Sequence, residues 1–313
     1  MAADFASFAL EPAEHIRRLA LPTGRVSMVL DTDTYNEVDD QFALVHALLS
    51  PDHMDVEAVH AAPFHNARSS GPADGMARSY DEILRVFDRL GMDPQGRVYR
   101  GSDRYLPAAD QPVTSNAAED LVRRGMADRD GPLYVLAIGA ITNVASALLI
   151  EPRLVQRIVV VWLGGHPYDW PTADEFNLKQ DMHASRLIFD SGVPLVHVPC
   201  KNVAEHLRTT VPELEASLRG RSRIGDFLCD TVAGYHDDHF AWAKVLWDVA
   251  TTAWLVDPKW VPSVIVPAPV LTMERRWARD ESRHLVRVAT NVNRNAVFAD
   301  LFHKMNALGK PTD

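Results

Sequence analysis

Cysteine is almost absent from this 313-residue chain, which holds only Cys200 and Cys229. Two widely separated thiols build neither a disulfide framework nor a zinc site, and each reads as an ordinary buried thiol. Long hydrophobic runs are missing too. Nothing approaches the ~20 consecutive apolar residues of a membrane span. Residues 1–24 carry Arg17 and Arg18 but no apolar core of signal-peptide length. Positive charge is in deficit, with 32 Lys and Arg against 42 Asp and Glu and a formal net charge of -10. That balance argues against a nucleic-acid partner and against an anionic membrane. A cytoplasmic protein is the simplest expectation.

What is present is a regular alternation. Apolar, β-rich runs occur at 26–30, 55–61, 97–99, 133–138, 157–163 and 195–198, and again at 263–266 and 284–288. Helical periodicity falls between them near 38–49, 74–90, 115–125, 142–149, 181–190, 211–218, 222–233, 241–256 and 294–307. The pattern predicts an α/β fold with a mostly parallel central sheet flanked by helices. No linker or repeat divides it, so one domain over 1–313 is expected. Residues 1–24 form an N-terminal extension, helical around Ala13–Leu19, and the helix-rich stretch from about 205 to 256 is an insertion over the strand ends.

The first strand empties into Asp31-Thr32-Asp33-Thr34-Tyr35-Asn36-Glu37-Val38-Asp39-Asp40, five carboxylates in ten residues. Carboxylates crowded at one strand end repel each other unless a cation sits among them, and a hard cation with oxygen ligands is the simplest choice. The carboxyl end of a strand is also where open α/β sheets bind ligands. Two other readings stand beside this one. Asp39 and Asp40 favour the dipole of the helix they open, and an Asp-x-Asp loop after a first strand also suits a haloacid-dehalogenase-like phosphotransferase with Asp31 as nucleophile. Tyr35 and the Asp39–Asp40 pair fit that second pattern poorly.

Three further segments carry chemistry. After the strand at 133–138 come Gly139 and then Thr142-Asn143, where either residue is an N-cap or a loop carbonyl is a cation ligand. After the strand at 157–163 come Gly164-Gly165 and the polar residues Asp169, Asp174, Glu175, Asn177 and Asp181, a set suited to a polyhydroxylated group. Asp248 lies inside an apolar stretch, Ala241 to Ala250, where a carboxylate is costly unless it binds metal or pairs with Lys244 four residues before it.

In this order the segments resemble the inosine-uridine nucleoside hydrolase family, from about residue 25 to 308. The family's opening Asp-x-Asp-Pro-Gly-x-Asp-Asp corresponds to Asp31-Thr-Asp33 and Asp39-Asp40, here with two extra residues between them. The Gly-x-x-Thr-Asn element falls at 139–143, the Gly-Gly and Glu-Phe-Asn segment at 164–165 and 175–177, and the last ligand helix at Asp248. The resemblance implies hydrolysis of the N-glycosidic bond of ribonucleosides. It implies a calcium ion held by the carboxylates of Asp33, Asp40 and Asp248 and the backbone carbonyl of Thr142. Asp33 also serves as general base towards water. Asp39, Asn66, Asp169, Glu175 and Asn177 are expected to hold the ribose. A homodimer or homotetramer with a small nucleoside substrate, active in purine salvage, is expected.

The departures concern the loop and the base. Thr34 to Val38 replaces the family's Pro-Gly, bringing Glu37 within possible reach of metal or substrate, and Asp169 stands where asparagine is usual. Trp247 stands where the pyrimidine-accepting branch has a histidine. An indole cannot donate a useful proton but can stack, so purine nucleosides are the expected preference. His239, with His236 and His65, is the substitute acid for the leaving base. Trp170, Trp242, Tyr235 and Phe64 are either walls for the base or core packing.

Overall fold

The computed structural model describes residues 5–309. Helix α1 (Pro12–Arg18) precedes β1 (Val26–Thr32), α2 (Asp40–Leu48), β2 (Met54–Ala61), α3 (Pro72–Leu90) and β3 (Val98–Arg100). The middle of the chain runs α4 (Asn116–Met126), β4 (Leu133–Ala137), α5 (Thr142–Ile150), β5 (Ile158–Leu163), α6 (Phe176–Gln180), α7 (Met182–Asp190) and β6 (Leu195–Val198). Then come β7 (Arg208–Thr209), α8 (Val211–Leu218), α9 (Arg223–Ala233), β8 (Lys244–Val245) and α10 (Val249–Val256). The last elements are β9 (Ser263–Pro267), β10 (Val270–Leu271), β11 (Trp277–Ala278), β12 (Leu285–Ala289) and α11 (Arg294–Ala307).

Eight strands form one sheet in the order β3-β2-β1-β4-β5-β6-β12-β9. Neighbours are parallel except for the edge pair β12–β9, which is antiparallel. Side chains alternate between two cores, as a strand period of two requires. Met28 and Leu30, with Leu136 and Val161, face a core shared with α2, α9, α10 and α11. Val29, Val135 and Val160 face the opposite core under α4, α5 and α7. Continuously apolar strands are what burial on both faces demands. The chain builds outward from β1 to β3, then restarts at β4 on the other side of β1. The strand order therefore reverses between β1 and β4, and a crevice opens at their carboxyl ends.

All eight strand expectations correspond to strands of this sheet, within a residue or two. The helix expected over 241–256 is corrected: it begins only at Val249. Residues Lys244–Val245 pair instead with Arg208–Thr209 as an antiparallel ribbon, and Ala241 adopts a φ of 53° that no helix accepts. A mostly apolar run suits strand or helix equally, so periodicity alone could not place this boundary. The short α6 escaped the sequence pattern because five residues are too few to establish a period. The segment from β7 to α10 buries Leu214, Ile224 and Leu228 in the first core and carries Trp247 and Asp248 to the strand ends. Before β1, α1 docks on β12: the His15 ring lies 2.7 Å from the Leu285 carbonyl, and Arg287 donates to Leu19 O at 2.6 Å. Among the described residues no helix is long and apolar enough to cross a membrane.

Candidate active site

The end of β1 separates two aspartates with different roles. Asp31 is fully buried and its Oδ2 accepts a hydrogen bond from Asn143 Nδ2 at 2.8 Å. Burial pushes its pKa up to about 7, opposed by the Asn143 bond. The same Asn143 amide donates to Ala61 O (3.1 Å), and its Oδ1 accepts from the backbone and hydroxyl of Ser102 (2.7 and 2.8 Å). Asn143 thus ties together the ends of β1, β2 and β3, and it does not cap α5. Thr142 does not cap it either: its hydroxyl donates to Asp181 Oδ2 at 2.7 Å, and the N-cap residue is Ile141, without a side-chain bond.

Beyond β1 the loop folds back so that Asn36 N donates to Asp33 O at 2.7 Å. Asp40, at the start of α2, accepts from Thr32 Oγ1 at 2.5 Å. Carboxylate oxygens of Asp39, Asp40 and Asp248 lie within 4.8 Å of one another, all three residues being buried. Asp33 adjoins Asp40, and both of its oxygens are buried with no donor. It reaches that position because residue 139 is glycine. A Cβ there would lie 2.9 Å from Asp33 Cγ and 3.1 Å from its Oδ1. Burial first, and then repulsion from the neighbouring aspartates, holds Asp33 and Asp248 well above the usual carboxylate range and raises Asp40 to about 8. Orphaned oxygens beside three convergent carboxylates are the donor set that a hard cation takes.

Among the described residues one basic side chain is in ion-pair contact with this group. Lys244, held by the β7–β8 ribbon, forms an ion pair with Glu37 and lies 3.5 Å from Asp39 Oδ1. The alternative of a Lys244–Asp248 pair along one helix is corrected, since the two residues do not share a helix. The unpaired polar residue in an apolar run was the only sequence signal for this contact.

The carboxylates floor a cavity of about 240 Å³. Asn36, Glu37, Leu163, His166, Glu175, Asn177, Cys200, Lys201 and Trp247 also line it. Asn177 Nδ2 donates to the carbonyls of Ile138 and Leu163, both at 3.1 Å, so its amide oxygen remains for a ligand. Glu175 caps α6 and receives the N–H groups of Asn177, Leu178 and Gly165. Burial raises its pKa against those bonds. Its position is therefore fixed by the backbone it organises.

Five expected site residues are not among those that line the cavity: Asp33, which adjoins Asp40 beside it, Thr142, Asn66, Asp169 and His239. Asp169 is exposed on the loop after β5 and does not line the cavity. Asn66 donates to Asn36 Oδ1 at 2.6 Å and reaches the cavity only through Asn36. His239 turns back onto α9, its Nε2 3.0 Å from Ala233 O, and packs against Trp242, away from the cavity. Phe64 is fully buried core. Asn36, His166, Lys201 and Cys200 were not foreseen, because single polar residues in loops carry no spacing signal.

The family model for inosine-uridine preferring nucleoside hydrolases matches residues 28–299. The chain belongs to that family. As a member of this nucleoside hydrolase family it is an enzyme that hydrolyses N-glycosidic bonds of nucleosides. The pyrimidine-specific ribonucleoside hydrolase RihA of Salmonella typhimurium is 27% identical over 290 residues, covering 85% of this chain and 86% of RihA. RihA of Klebsiella pneumoniae is 28% identical over 267 residues, covering 77% and 81%. A purine-preferring ribonucleoside hydrolase from Gardnerella vaginalis has the same fold, with a TM-score of 0.73 and 21% identity over 90% of this chain and 98% of that one. A plant nucleoside hydrolase, PpNRh1, superposes with a TM-score of 0.72 at 21% identity, covering 90% and 99%.

Proposed function

We propose that this nucleoside hydrolase is a calcium-dependent ribonucleoside N-ribohydrolase that favours purine nucleosides. The observation that carries the reading is the buried group of Asp39, Asp40 and Asp248, which lines a cavity walled by Trp247, with the donorless Asp33 beside Asp40. Calcium, held by Asp33, Asp40 and Asp248 with the Thr142 carbonyl, would acidify a water molecule and bind sugar hydroxyls.

The chain's own groups supply the rest. Asp33 is the general base, positioned against Gly139 to receive the proton of water as the anomeric carbon is attacked. The bond to the base nitrogen breaks as positive charge grows on the ribosyl ring, which the aspartates below it favour. Asp39 holds a ribose hydroxyl, and the free amide oxygen of Asn177 accepts another. Trp247 offers an indole face to the departing ring. A purine presents a larger face than a pyrimidine, so stacking favours purine nucleosides. Asp31, its carboxylate bonded to Asn143 and not among the residues that line the cavity, gives no support to a phosphotransferase reading.

The test is release of reducing sugar from inosine, guanosine, uridine and cytidine, with calcium and with a chelator. Purine nucleosides are expected to lead in kcat/KM, and Trp247→Ala is expected to narrow the lead about tenfold. Pyrimidine preference in the parent, or an unaltered purine rate in the variant, refutes the stacking assignment.

A further inference from the structure

Lys244 belongs to no expected part of the site, yet it is the one cation in ion-pair contact with the aspartate group among the described residues. It is 6% exposed. Its ammonium pairs with Glu37, from the two-residue-longer loop, and sits 3.5 Å from Asp39. Strand pairing of Lys244 with Thr209 fixes its backbone. Above it lies Tyr235, whose ring centroid is 5.5 Å from Nζ. Arg68 spans from Tyr235 to Tyr35, at 5.7 and 4.6 Å from their centroids. The longer loop is thereby fastened at Glu37 and Tyr35 to two other segments.

We infer that Lys244 is a built-in counter-cation, a positioning residue that holds Glu37 and Asp39 against the aspartate group and keeps the cation site assembled before the divalent ion arrives. The inference rests on the cation-site reading proposed above. Five buried or half-buried carboxylates, Asp33, Glu37, Asp39, Asp40 and Asp248, gather here, and one lysine contacts two of them, Glu37 and Asp39. Without it their repulsion falls wholly on the metal-free protein. With a divalent ion bound, the same lysine becomes a like charge beside the cation. The two effects have opposite signs in the two states, and linkage ties them together. Stability that a substitution removes from the metal-free protein, but not from the loaded one, must reappear as tighter metal binding.

Three substitutions separate this from simple loop packing. In Lys244→Met, the chelated protein is expected to melt several degrees below the chelated parent. Saturating calcium should bring the two melts together, with a calcium Kd at least tenfold lower by calorimetry, equivalent to 1.4 kcal/mol. Glu37→Gln removes a negative charge yet leaves Lys244 on Asp39, so its calcium Kd should rise. Lys244→Arg should behave as the parent. Calcium bound more weakly by Lys244→Met, or a melting deficit that calcium leaves in place, would mean that the lysine only packs the loop and would overturn the inference. If Lys244→Met fails to fold, the Glu37→Gln titration decides alone, and a Kd that is unchanged or lower overturns it. Should the parent itself bind no calcium, the cation-site reading fails. The chelated melts then judge the lysine separately, and an undiminished Lys244→Met melt rejects it.

Discussion

Gly139→Ala isolates the placement of Asp33, the proposed general base, from every other property of the site. The added methyl would lie 2.9 Å from Asp33 Cγ, 3.1 Å from its Oδ1 and 3.2 Å from Ala62 Cβ. Ordinary carbon contacts begin near 3.4 Å, so the carboxylate must give way by a few tenths of an ångström or more. Gly139 does not have a positive φ, so alanine brings no backbone strain and the contact alone is tested. Overpacking of this kind costs about 1–3 kcal/mol. For 313 residues, at about 2.1 cal/mol/K of unfolding entropy per residue, that corresponds to a Tm loss of roughly 2–5 °C. Catalysis should suffer more, because misplacing a reacting group by ~1 Å costs on the order of a hundredfold. The assay is reducing-sugar release from inosine with saturating calcium, beside a melt of the same preparation. Adding Ala62→Gly relieves the 3.2 Å contact and leaves the two to Asp33. It should recover part of the Tm and little of the rate. A Gly139→Ala enzyme with parental kcat/KM, or one whose rate is restored by Ala62→Gly, refutes the placement of Asp33 as the base.

Two further outcomes follow from groups outside the cavity. Asp31→Asn keeps an acceptor for Asn143, so sugar release should stay within a few-fold of the parent; complete loss of activity would reinstate Asp31 as a reacting group. His197 on β6 is fully buried, its Nε2 2.5 Å from Gly164 O, and burial lowers its pKa from 6.5 to about 4. The unfolded chain takes up this proton below about pH 6.5 while the folded one resists until about pH 4. The contribution is therefore complete above pH 6.5 and lost as pH falls through that window, by about 3 kcal/mol in all. Melts of His197→Gln between pH 4 and 7 should have a visibly shallower acid slope than the parent, and an equal slope would assign the acid loss to other groups.

Strand positions were legible above all in the centre of the sheet, where β4, β5 and β6 are buried on both faces, and Val159 to Leu163 can hardly be anything else. The acidic loop was legible for the opposite reason, since carboxylates beside an apolar strand need an explanation. The 241–248 segment was not legible. Its apolar residues suit helix and strand alike, and only pairing with Arg208–Thr209, distant in sequence, decides the matter. Site residues divided in the same way. Asp33, Asp39, Asp40 and Asp248 came from charge in an apolar setting, whereas Asp169 came from position in a motif and His239 from its place in a loop before the expected helix, and neither of these two lines the cavity. Asn36 and Lys244 gain meaning only from partners that folding brings to them.

The Asn143 amide has consequences for how this scaffold can diverge. Its oxygen and both amide hydrogens are committed to segments that end three separate strands, while its backbone opens a helix after a fourth. Any shift of one strand relative to another must break a buried hydrogen bond with no water to replace it, at a cost of about 1–3 kcal/mol for each orphaned group. The floor of the crevice is consequently a place where mutation has little freedom to explore. New specificities are left to the rim, where the mostly exposed residues 236–241 can change without disturbing the floor.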